Sequence, residues 1–184
     1  MRMIMIGRLE WIKGIELTLI ALRNLKRIGA KAELIIVGDG AEESKMKFLT
    51  HALNLADDVS FLGALRPNQV KEVLSTAHVL ICSSWSEGIS NSVLEAKATG
   101  VAVVSANVGG MSEVINHKIS GQIFEIGNVN DLTERLMDYY VNNEERLKIT
   151  NMARLEAEAS HDLNSQIQQF ISVYQDLIQS PANK

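Results

Sequence analysis

The chain has 184 residues, of which 46% are hydrophobic and 22% are charged, with only two prolines. This length and composition predict one soluble globular domain, or one domain with an appendage, and they exclude a disordered chain. The formal net charge of -4 argues against a nucleic-acid-binding protein, which would present a basic face. Any phosphate group must therefore be bound by a local arrangement of cations.

The single cysteine, Cys82, lies within an apolar run, so we expect a buried thiol and a reducing compartment. The apolar start of the chain is too short for a signal sequence. No apolar run approaches the roughly 20 residues that a membrane-spanning helix needs. The sequence therefore predicts a cytoplasmic protein without a direct membrane span, which a neighbouring domain could bring to the inner face of the membrane as a peripheral protein.

Short apolar runs alternate with segments of helical period along the first two thirds of the chain. The runs predict strands, and the compact strand-helix-strand units predict parallel pairs that are covered by helices on both faces. The predicted class is an α/β fold, a Rossmann-like doubly wound parallel sheet of about six strands with extra C-terminal helices. The predicted strands are residues 3–6, 33–37, 59–62, 78–82, 101–105 and 122–125.

Apolar residues at helical spacing fill the gaps between these strands. Pro67 is expected to open one helix, because a proline at the first helical position loses no hydrogen bond. After about residue 127 the strand signals cease and the pattern is wholly helical, with apolar residues at 132, 136 and 140 and then at 147, 152 and 155. We predict a main domain over residues 1–160, and a C-terminal helix with a frayed tail over residues 161–184. The apolar stripe of that helix packs either on this domain or on a partner domain: Ile167, Phe170, Ile171, Tyr174 and Ile178.

The loop after the first predicted strand contains the first candidate anion site. In open parallel sheets, ligands bind beyond the carboxyl ends of the strands. Gly7 and Arg8 directly follow the first strand, and Lys13 lies five residues further on. Glycine lets the backbone approach a ligand, and two cations in one short loop can neutralise two charges on a diphosphate. Solvated surface charges would give the same pattern.

The stretch from Glu87 to Glu95 contains the second candidate. Residues 90–92, Ser-Asn-Ser, precede a helical segment, and the free N–H groups of a helix N-terminus bind anions. Ser92 and Glu95 also fit a capping box, which needs no ligand. Glu87 has no comparable structural role, and a carboxylate at this position can accept hydrogen bonds from sugar hydroxyls.

The sequence shows no pattern of metal ligands. The four histidines are scattered without ligand spacing, and no Asp-x-Asp pair is present to hold a divalent ion on a diphosphate. We therefore expect no cofactor and a metal-independent site, in which cationic side chains and the helix end neutralise the phosphates. The Gly38-Asp-Gly40 segment lacks the third glycine of a dinucleotide fingerprint and is predicted to form a tight turn.

Five sequence blocks occur in order along the chain and resemble the C-terminal, donor-binding domain of retaining glycosyltransferases of family 4 (group 1), with the GT-B fold. The resemblance covers residues 7 to about 141 and implies a nucleotide-sugar-binding domain over residues 1–160. The blocks are Gly7-Arg8-x4-Lys13-Gly14, Val37-Gly-Asp-Gly40, Val59-Ser-Phe-Leu-Gly63, Glu87-Gly88 to Glu95-Ala96, and Val108-Gly-Gly-Met-Ser-Glu-Val114.

The resemblance also assigns roles to individual residues. It implies that Arg8 and Lys13 contact the donor diphosphate, that Glu87 binds the hexose hydroxyls, and that Glu95 binds the ribose. Arg8, Lys13 and Glu87 are thus the predicted catalytic residues, and no metal ligand is predicted. The other predicted donor-binding residues lie along the sugar, at the phosphates or beside the base: Gly7, Leu62, Gly63, Gly88, Ile89, Ser90, Asn91 and Ser92.

The activity implied by the resemblance is transfer of a hexosyl group, with retention, from a UDP-sugar or GDP-sugar donor to an acceptor hydroxyl. UDP is favoured, on Glu95 and on the habit of the family. Ser90-Asn91 resembles a Pro-Asn variant common among enzymes that build surface polysaccharides, whereas Ile89 stands where phenylalanine is frequent. The acceptor, a glycan or a lipid-linked glycan, binds an N-terminal domain in family members. We expect this chain to be a fragment that does not turn over alone.

Two alternatives remain open at this stage. A non-catalytic sugar-nucleotide-binding or assembly module would keep the same site and use the last helix to dock a partner. A nucleotide-sugar epimerase of similar fold would need no acceptor, but the ordered blocks fit it less well.

Overall fold

A parallel sheet of six strands forms the centre of the computed structural model, which describes residues 1–160 and 163–179. The strand order is β3-β2-β1-β4-β5-β6, and every neighbouring pair is parallel. The doubly wound class is confirmed, and each predicted strand is present with its ends within one residue. The strands are β1 Arg2–Ile6, β2 Glu33–Val37, β3 Val59–Phe61, β4 Val79–Cys82, β5 Ala102–Ala106 and β6 Gln122–Phe124.

Eight α-helices accompany the strands in the described residues. Pro67 opens its helix as predicted. The sequence did not predict the short 3-10 turn Trp11–Lys13 or the four-residue helix α5, because neither is long enough to show a helical period. The helices are α1 Ile15–Arg27, α2 Glu43–Ala52, α3 Pro67–Ser75, α4 Asn91–Thr99, α5 Met111–Val114, α6 Val129–Val141, α7 Asn143–Ser160 and α8 Leu163–Gln179.

The core has two apolar layers, one on each face of the sheet. Successive side chains of a strand point to opposite faces. In β1, Met3 and Met5 accordingly join the layer that contains Leu22 of α1, whereas Ile4 joins the layer that contains Val93 of α4. Because both faces are covered, the central strands are apolar almost throughout, which made them easy to recognise in the sequence.

Helix α6 has the predicted apolar face, but its buried tyrosine lies one position earlier than predicted. The sequence pattern selected Tyr140 together with Leu132 and Leu136, but the fully buried side chain is Tyr139, and Tyr140 is only partly buried. With 3.6 residues per turn, a residue seven positions on returns closer to the same face than one eight positions on. The Tyr139 hydroxyl donates to the carbonyl oxygen of Val103 at 3.3 Å, and burial raises the pKa of Tyr139.

Helix α7 packs by a face of small residues. The sequence selected Leu147, Met152 and Leu155 as its apolar face, but all three are exposed. Small side chains allow a helix to approach its neighbours closely, which a count of large apolar residues does not reveal. The buried residues of α7 are Ile149, Thr150, Ala153 and Ala157.

Helix α8 exposes the apolar stripe that the sequence predicted. The five stripe residues are between 43% and 83% exposed, so this stripe does not pack on the α/β domain. Residues 161–162 and the predicted frayed tail 180–184 lie outside the described residues. Nowhere in the described ranges is a helix both long enough and apolar enough to cross a membrane.

A buried lysine fixes helix α4 to its surroundings. The Lys97 side chain is 2% exposed, and its Nζ donates to the Val114 carbonyl and, at 2.9 Å, to Glu156 Oε2 on α7. Burial alone would raise the pKa of Glu156. Hydrogen bonds from Ser120, Lys97 and Asn116 outweigh that effect, and the pKa of Glu156 is lowered. The network therefore ties α4 to α7 and to the segment after α5.

We expect Glu156→Gln to be destabilising by about 1–3 kcal/mol near pH 7, because it leaves the buried Lys97 charge without its counter-ion. A carboxylate whose pKa is lowered by folding stabilises the protein above its unfolded-state pKa of about 4.5, and this contribution is lost as the pH falls through the folded-state value. The difference from wild type should therefore shrink below about pH 4.5. Urea unfolding across pH measures it.

Glu158→Gln is the matched control, because Glu158 forms an exposed pair with Arg154 on the same helix. It should change the free energy of unfolding by no more than about 0.5 kcal/mol. A Glu156→Gln deficit that persists undiminished to pH 3 would contradict the assignment.

Candidate functional site

A cleft of about 710 Å³ opens between the end of β1, helix α3 and the start of α4. The strand order reverses between β1 and β4, and ligands of doubly wound sheets bind in the crevice beyond the carboxyl ends of the strands at such a point. The volume lies in the range of about 300–1,000 Å³ for small-molecule sites. The cleft wall contains seven of the predicted site residues: Gly7, Lys13, Glu87, Ser90, Asn91, Ser92 and Glu95.

Two residues predicted to serve different parts of a ligand form an ion pair with each other. Lys13 Nζ lies 2.5 Å from Glu87 Oε1, and the two side chains are 25% and 14% exposed. The buried Ser84 hydroxyl donates to the same carboxylate oxygen at 2.8 Å. The predicted diphosphate cation therefore already has a counter-ion. Sequence reasoning missed this contact, because 74 positions separate the partners.

The loop after β4 is locked to the turn that contains Lys13. The Ser83 side chain is fully buried, and its hydroxyl lies 2.9 Å from the Gly14 carbonyl and 3.1 Å from the Lys13 carbonyl. Ser83 also accepts a hydrogen bond from Thr18 at 3.0 Å. A Cβ on Gly14, whose φ is 59°, would lie 2.2 Å from the Ser83 carbonyl oxygen, so no other residue fits there without a shift.

The loop between β5 and α5 supports Glu87 from the other side. The Gly110 N–H donates to the Gly88 carbonyl at 3.0 Å. Gly109 has a φ of 50°, and a Cβ at this position would lie 1.7 Å from the Glu87 carbonyl oxygen. The Glu87 backbone is therefore held by direct contact with a glycine, and its side chain is held by Ser84 and Lys13.

Helix α4 begins earlier than the predicted capping box requires. Its N-cap is Ser90, whose side chain makes no capping hydrogen bond and instead lies 2.9 Å from the Ser92 hydroxyl. Ser92 is already the second helical residue, so the alternative in which it caps the helix with Glu95 is not realised. Glu95 is exposed on the cleft wall. The first N–H groups of the helix lack partners within it, as at any helix start, and can bind an anion.

Arg8 is not among the residues that line the cleft. Its side chain is 76% exposed, and Nη1 forms an ion pair with Glu10 Oε1 at 2.8 Å. Arg8 lines a narrow adjoining pocket that also contains Lys13 and Glu87.

The remaining predicted residues, Leu62, Gly63, Gly88 and Ile89, do not line the cleft. The wall on the side of β3 is formed further along the chain, by Leu65, Pro67, Asn68 and Lys71. The signal for these residues was present in the sequence. A helix predicted to open at Pro67 must begin near the carboxyl end of β3, the edge of the sheet where ligands bind.

Neither a metal cluster nor a reactive thiol is visible around the cleft. No group of three or more His, Cys, Asp or Glu side chains within residues 1–160 and 163–179 is arranged to hold a metal ion. Cys82, in the narrow pocket, is buried as expected, and this burial raises the pKa of its thiol, with the Glu87 charge acting in the same direction.

The family described as "Glycosyl transferases group 1" matches residues 2–156. The chain is 27% identical over 186 residues to the putative glycosyltransferase YtcC of Bacillus subtilis, covering 97% of this chain and 46% of that protein. The chain thus spans about half the length of this curated relative.

Solved structures show the same fold. HepE of Anabaena in complex with UDP superposes with a TM-score of 0.88 and 23% identity, over 95% of this chain and 48% of HepE. The C-terminal domain of the group 1 glycosyl transferase LpcC from Francisella tularensis superposes with a TM-score of 0.81 and 18% identity, over 88% of this chain and 86% of that domain. The chain therefore matches one half of a GT-B structure.

We expect Gly109→Ala to destabilise the protein by more than the cost of placing alanine in a left-handed backbone conformation. The conformation costs about 1–2 kcal/mol for a residue with a Cβ, and forcing the Glu87 carbonyl aside adds roughly 1–3 kcal/mol. Urea unfolding measures the loss. Gly29→Ala is the matched control, because Gly29 has a φ of 85° with nothing within 4 Å of its Cβ position. Equal losses for the two variants would show that the loop does not hold Glu87.

Proposed function

Because the chain belongs to the group 1 glycosyl transferases, we propose that it is the donor-binding domain of a retaining hexosyltransferase. The donor is a nucleoside diphosphate sugar, and the acceptor is a hydroxyl group. The observation that carries this proposal is the cleft at the switch point, where Lys13, Glu87 and the first turn of α4 meet.

The diphosphate lies at the first turn of α4 in this proposal. Backbone N–H groups at a helix start and the positive end of the helix dipole favour an anion. The small side chains of residues 90–92 leave room for phosphate, and Lys13 supplies a positive charge in the same cleft. Because these groups neutralise the charge, we propose that the reaction needs no metal ion and no other cofactor.

Stabilisation of the leaving diphosphate drives the reaction. As the bond between the anomeric carbon and the diphosphate oxygen breaks, negative charge develops on the diphosphate, and groups that meet this charge lower the barrier. Lys13 and the α4 terminus are already directed at the cleft. Arg8 joins them when its side chain leaves Glu10, an exposed ion pair that costs little to break.

Glu87 and Glu95 hold the two ends of the donor. Glu87 Oε1 is engaged by Lys13 and Ser84, whereas Oε2 accepts no hydrogen bond from the described residues and is free for hexose hydroxyls. Glu95 lies one turn into α4, where it can accept hydrogen bonds from ribose hydroxyls. Leu65 and the first turn of α3 form the wall beside the base.

We favour UDP over GDP as the nucleotide. Glu95 and the habit of the family support this choice, and HepE, which shares the fold, is also solved with UDP-glucose. The resemblance of Ser90-Asn91 to polysaccharide-building enzymes supports a role in surface polysaccharide or glycoconjugate synthesis. The acceptor, a glycan or lipid-linked glycan, then binds a further domain. That domain would correspond to the half of the relatives that this chain does not span.

Calorimetric titration of this chain with UDP, GDP, ADP and their hexose conjugates tests the donor assignment. We expect UDP and a UDP-hexose to bind. Lys13→Ala and Arg8→Ala should weaken diphosphate ligands about 5- to 20-fold, the effect of a charged hydrogen bond, and should leave nucleoside binding less affected.

Glu95→Ala should weaken nucleotides without lowering the melting temperature, because Glu95 makes no capping hydrogen bond. The exposed pair Lys148 and Glu144 on α7 offers a control: Lys148→Ala removes an equal charge far along the chain from the cleft residues. A chain that binds none of these nucleotides, or a Lys148→Ala effect equal to that of Lys13→Ala, would contradict the proposal.

The exposed stripe of α8 is proposed to pack on the acceptor-binding domain. Phe170→Ser and Tyr174→Ser should leave the stability of this chain unchanged, because both side chains are about two thirds exposed. In a protein that contains both domains, the same changes should lower the melting temperature or separate the domains on proteolysis. Unchanged behaviour of the two-domain protein would exclude this packing.

A further inference from the structure

The contact between Lys13 and Glu87 gives the site a property that neither residue has alone. Glu87 Oε1 accepts hydrogen bonds from Lys13 Nζ at 2.5 Å and from Ser84 Oγ at 2.8 Å. Ser84 is buried, and the ion pair itself is mostly shielded, with side-chain exposures of 25% and 14%. The Glu87 carboxylate is therefore the direct partner of the Lys13 ammonium group.

We propose that Glu87 is a tethered competitor of the diphosphate for Lys13, so that the site selects nucleoside diphosphate sugars over free nucleoside diphosphates. This inference rests on the proposed donor-binding function. A free nucleoside diphosphate must share Lys13 with a carboxylate that remains beside it. Both anions then lie next to one ammonium group, and their mutual repulsion reduces the gain from binding.

A donor with a hexose changes this balance. Its hydroxyl groups donate hydrogen bonds to Glu87 Oε2, the oxygen that neither Lys13 nor Ser84 engages. These hydrogen bonds disperse the charge of the carboxylate and so reduce its repulsion of the diphosphate. The hexose thus contributes its own contacts and also lowers the cost of placing a diphosphate at Lys13.

The same competition acts after the hexose has been transferred. Once the hexose has left, Glu87 loses its hydroxyl partners and again competes for Lys13. A tethered group competes at an effective concentration of about millimolar or more, without having to diffuse to the site. The pair therefore favours release of the nucleoside diphosphate product.

The surrounding loops keep the competitor in place. Ser83 fixes the carbonyl side of Lys13 and Gly14, and Gly109 supports the Glu87 backbone. Because both backbones are held, the carboxylate can separate from the ammonium group only by side-chain rotation, and it stays within reach of Lys13 when a ligand enters.

Calorimetric titration of Glu87→Gln tests the inference with UDP, GDP, ADP and their hexose conjugates. Glutamine keeps the shape of the side chain and removes its charge. We expect the affinity for the preferred nucleoside diphosphate to rise roughly tenfold, the scale of one charged hydrogen bond, and the affinity for its hexose conjugate to rise less or to fall. A positioning role for Glu87 predicts the opposite sign, since Lys13 would then be less well placed and the diphosphate would bind more weakly.

Glu16→Gln is the matched control, because this substitution removes the same charge at a position three residues after Lys13. Glu16 does not line the cleft. An unchanged or lowered diphosphate affinity in Glu87→Gln, or an equal rise in Glu16→Gln, overturns the inference while leaving the donor site intact. A wild-type chain that binds none of the nucleotides overturns the proposed function and this inference with it.

Ser84→Ala supplies a second variant in case Glu87→Gln does not fold. Loss of the hydroxyl removes a hydrogen bond that disperses the charge of Glu87, without altering any formal charge, so the carboxylate becomes a stronger competitor for Lys13. The affinity for the nucleoside diphosphate should fall by about two- to threefold, and the affinity for its hexose conjugate should fall less. A raised diphosphate affinity, or an equal loss for both ligands, also overturns the inference.

Discussion

The contact between Lys13 and Glu87 is the interaction on which the site depends. It joins the loop after β1 to the loop after β4, the two loops that flank the point where the strand order reverses. The ion pair alone would not hold these loops together, because the cost of removing two charges from water offsets much of their attraction. Close backbone contacts at Gly14 and Gly109 and the buried Ser83 hydroxyl hold the loops, and the ion pair then forms between side chains that are already in place.

The sheet and the helices provide the frame for this arrangement. Helix α4 carries the proposed phosphate site at its first turn and the buried Lys97 in its second half. Lys97 is fixed to Glu156 of α7 and to the carbonyl of Val114, the last residue of α5, so the helix cannot shift along its axis without breaking a buried ion pair. The C-terminal half of α4 therefore anchors the helix in the fold, and its first turn carries the proposed anion site.

The cleft is neither basic nor acidic overall, which agrees with the modest net charge of the chain. Lys13 and Lys71 line it together with Glu87 and Glu95. Its lysines can donate to phosphates, and its carboxylates can accept hydrogen bonds from hydroxyl groups. This mixed character is the physical link between the proposed donor specificity and the competition for Lys13.

The sequence by itself determined the class of fold, the position of every strand to within one residue, and seven of the sixteen residues of the cleft wall. It did so because buried strands, glycine turns and helix starts leave local patterns. Only the tertiary structure decided which residues meet: that Lys13 is paired with Glu87, that Ser92 and Glu95 form no capping box, and that α3 rather than Leu62 lines the cleft. It also decided that Tyr139 rather than Tyr140 is buried. These features depend on contacts between distant segments or on the phase of a helix, which no local pattern specifies.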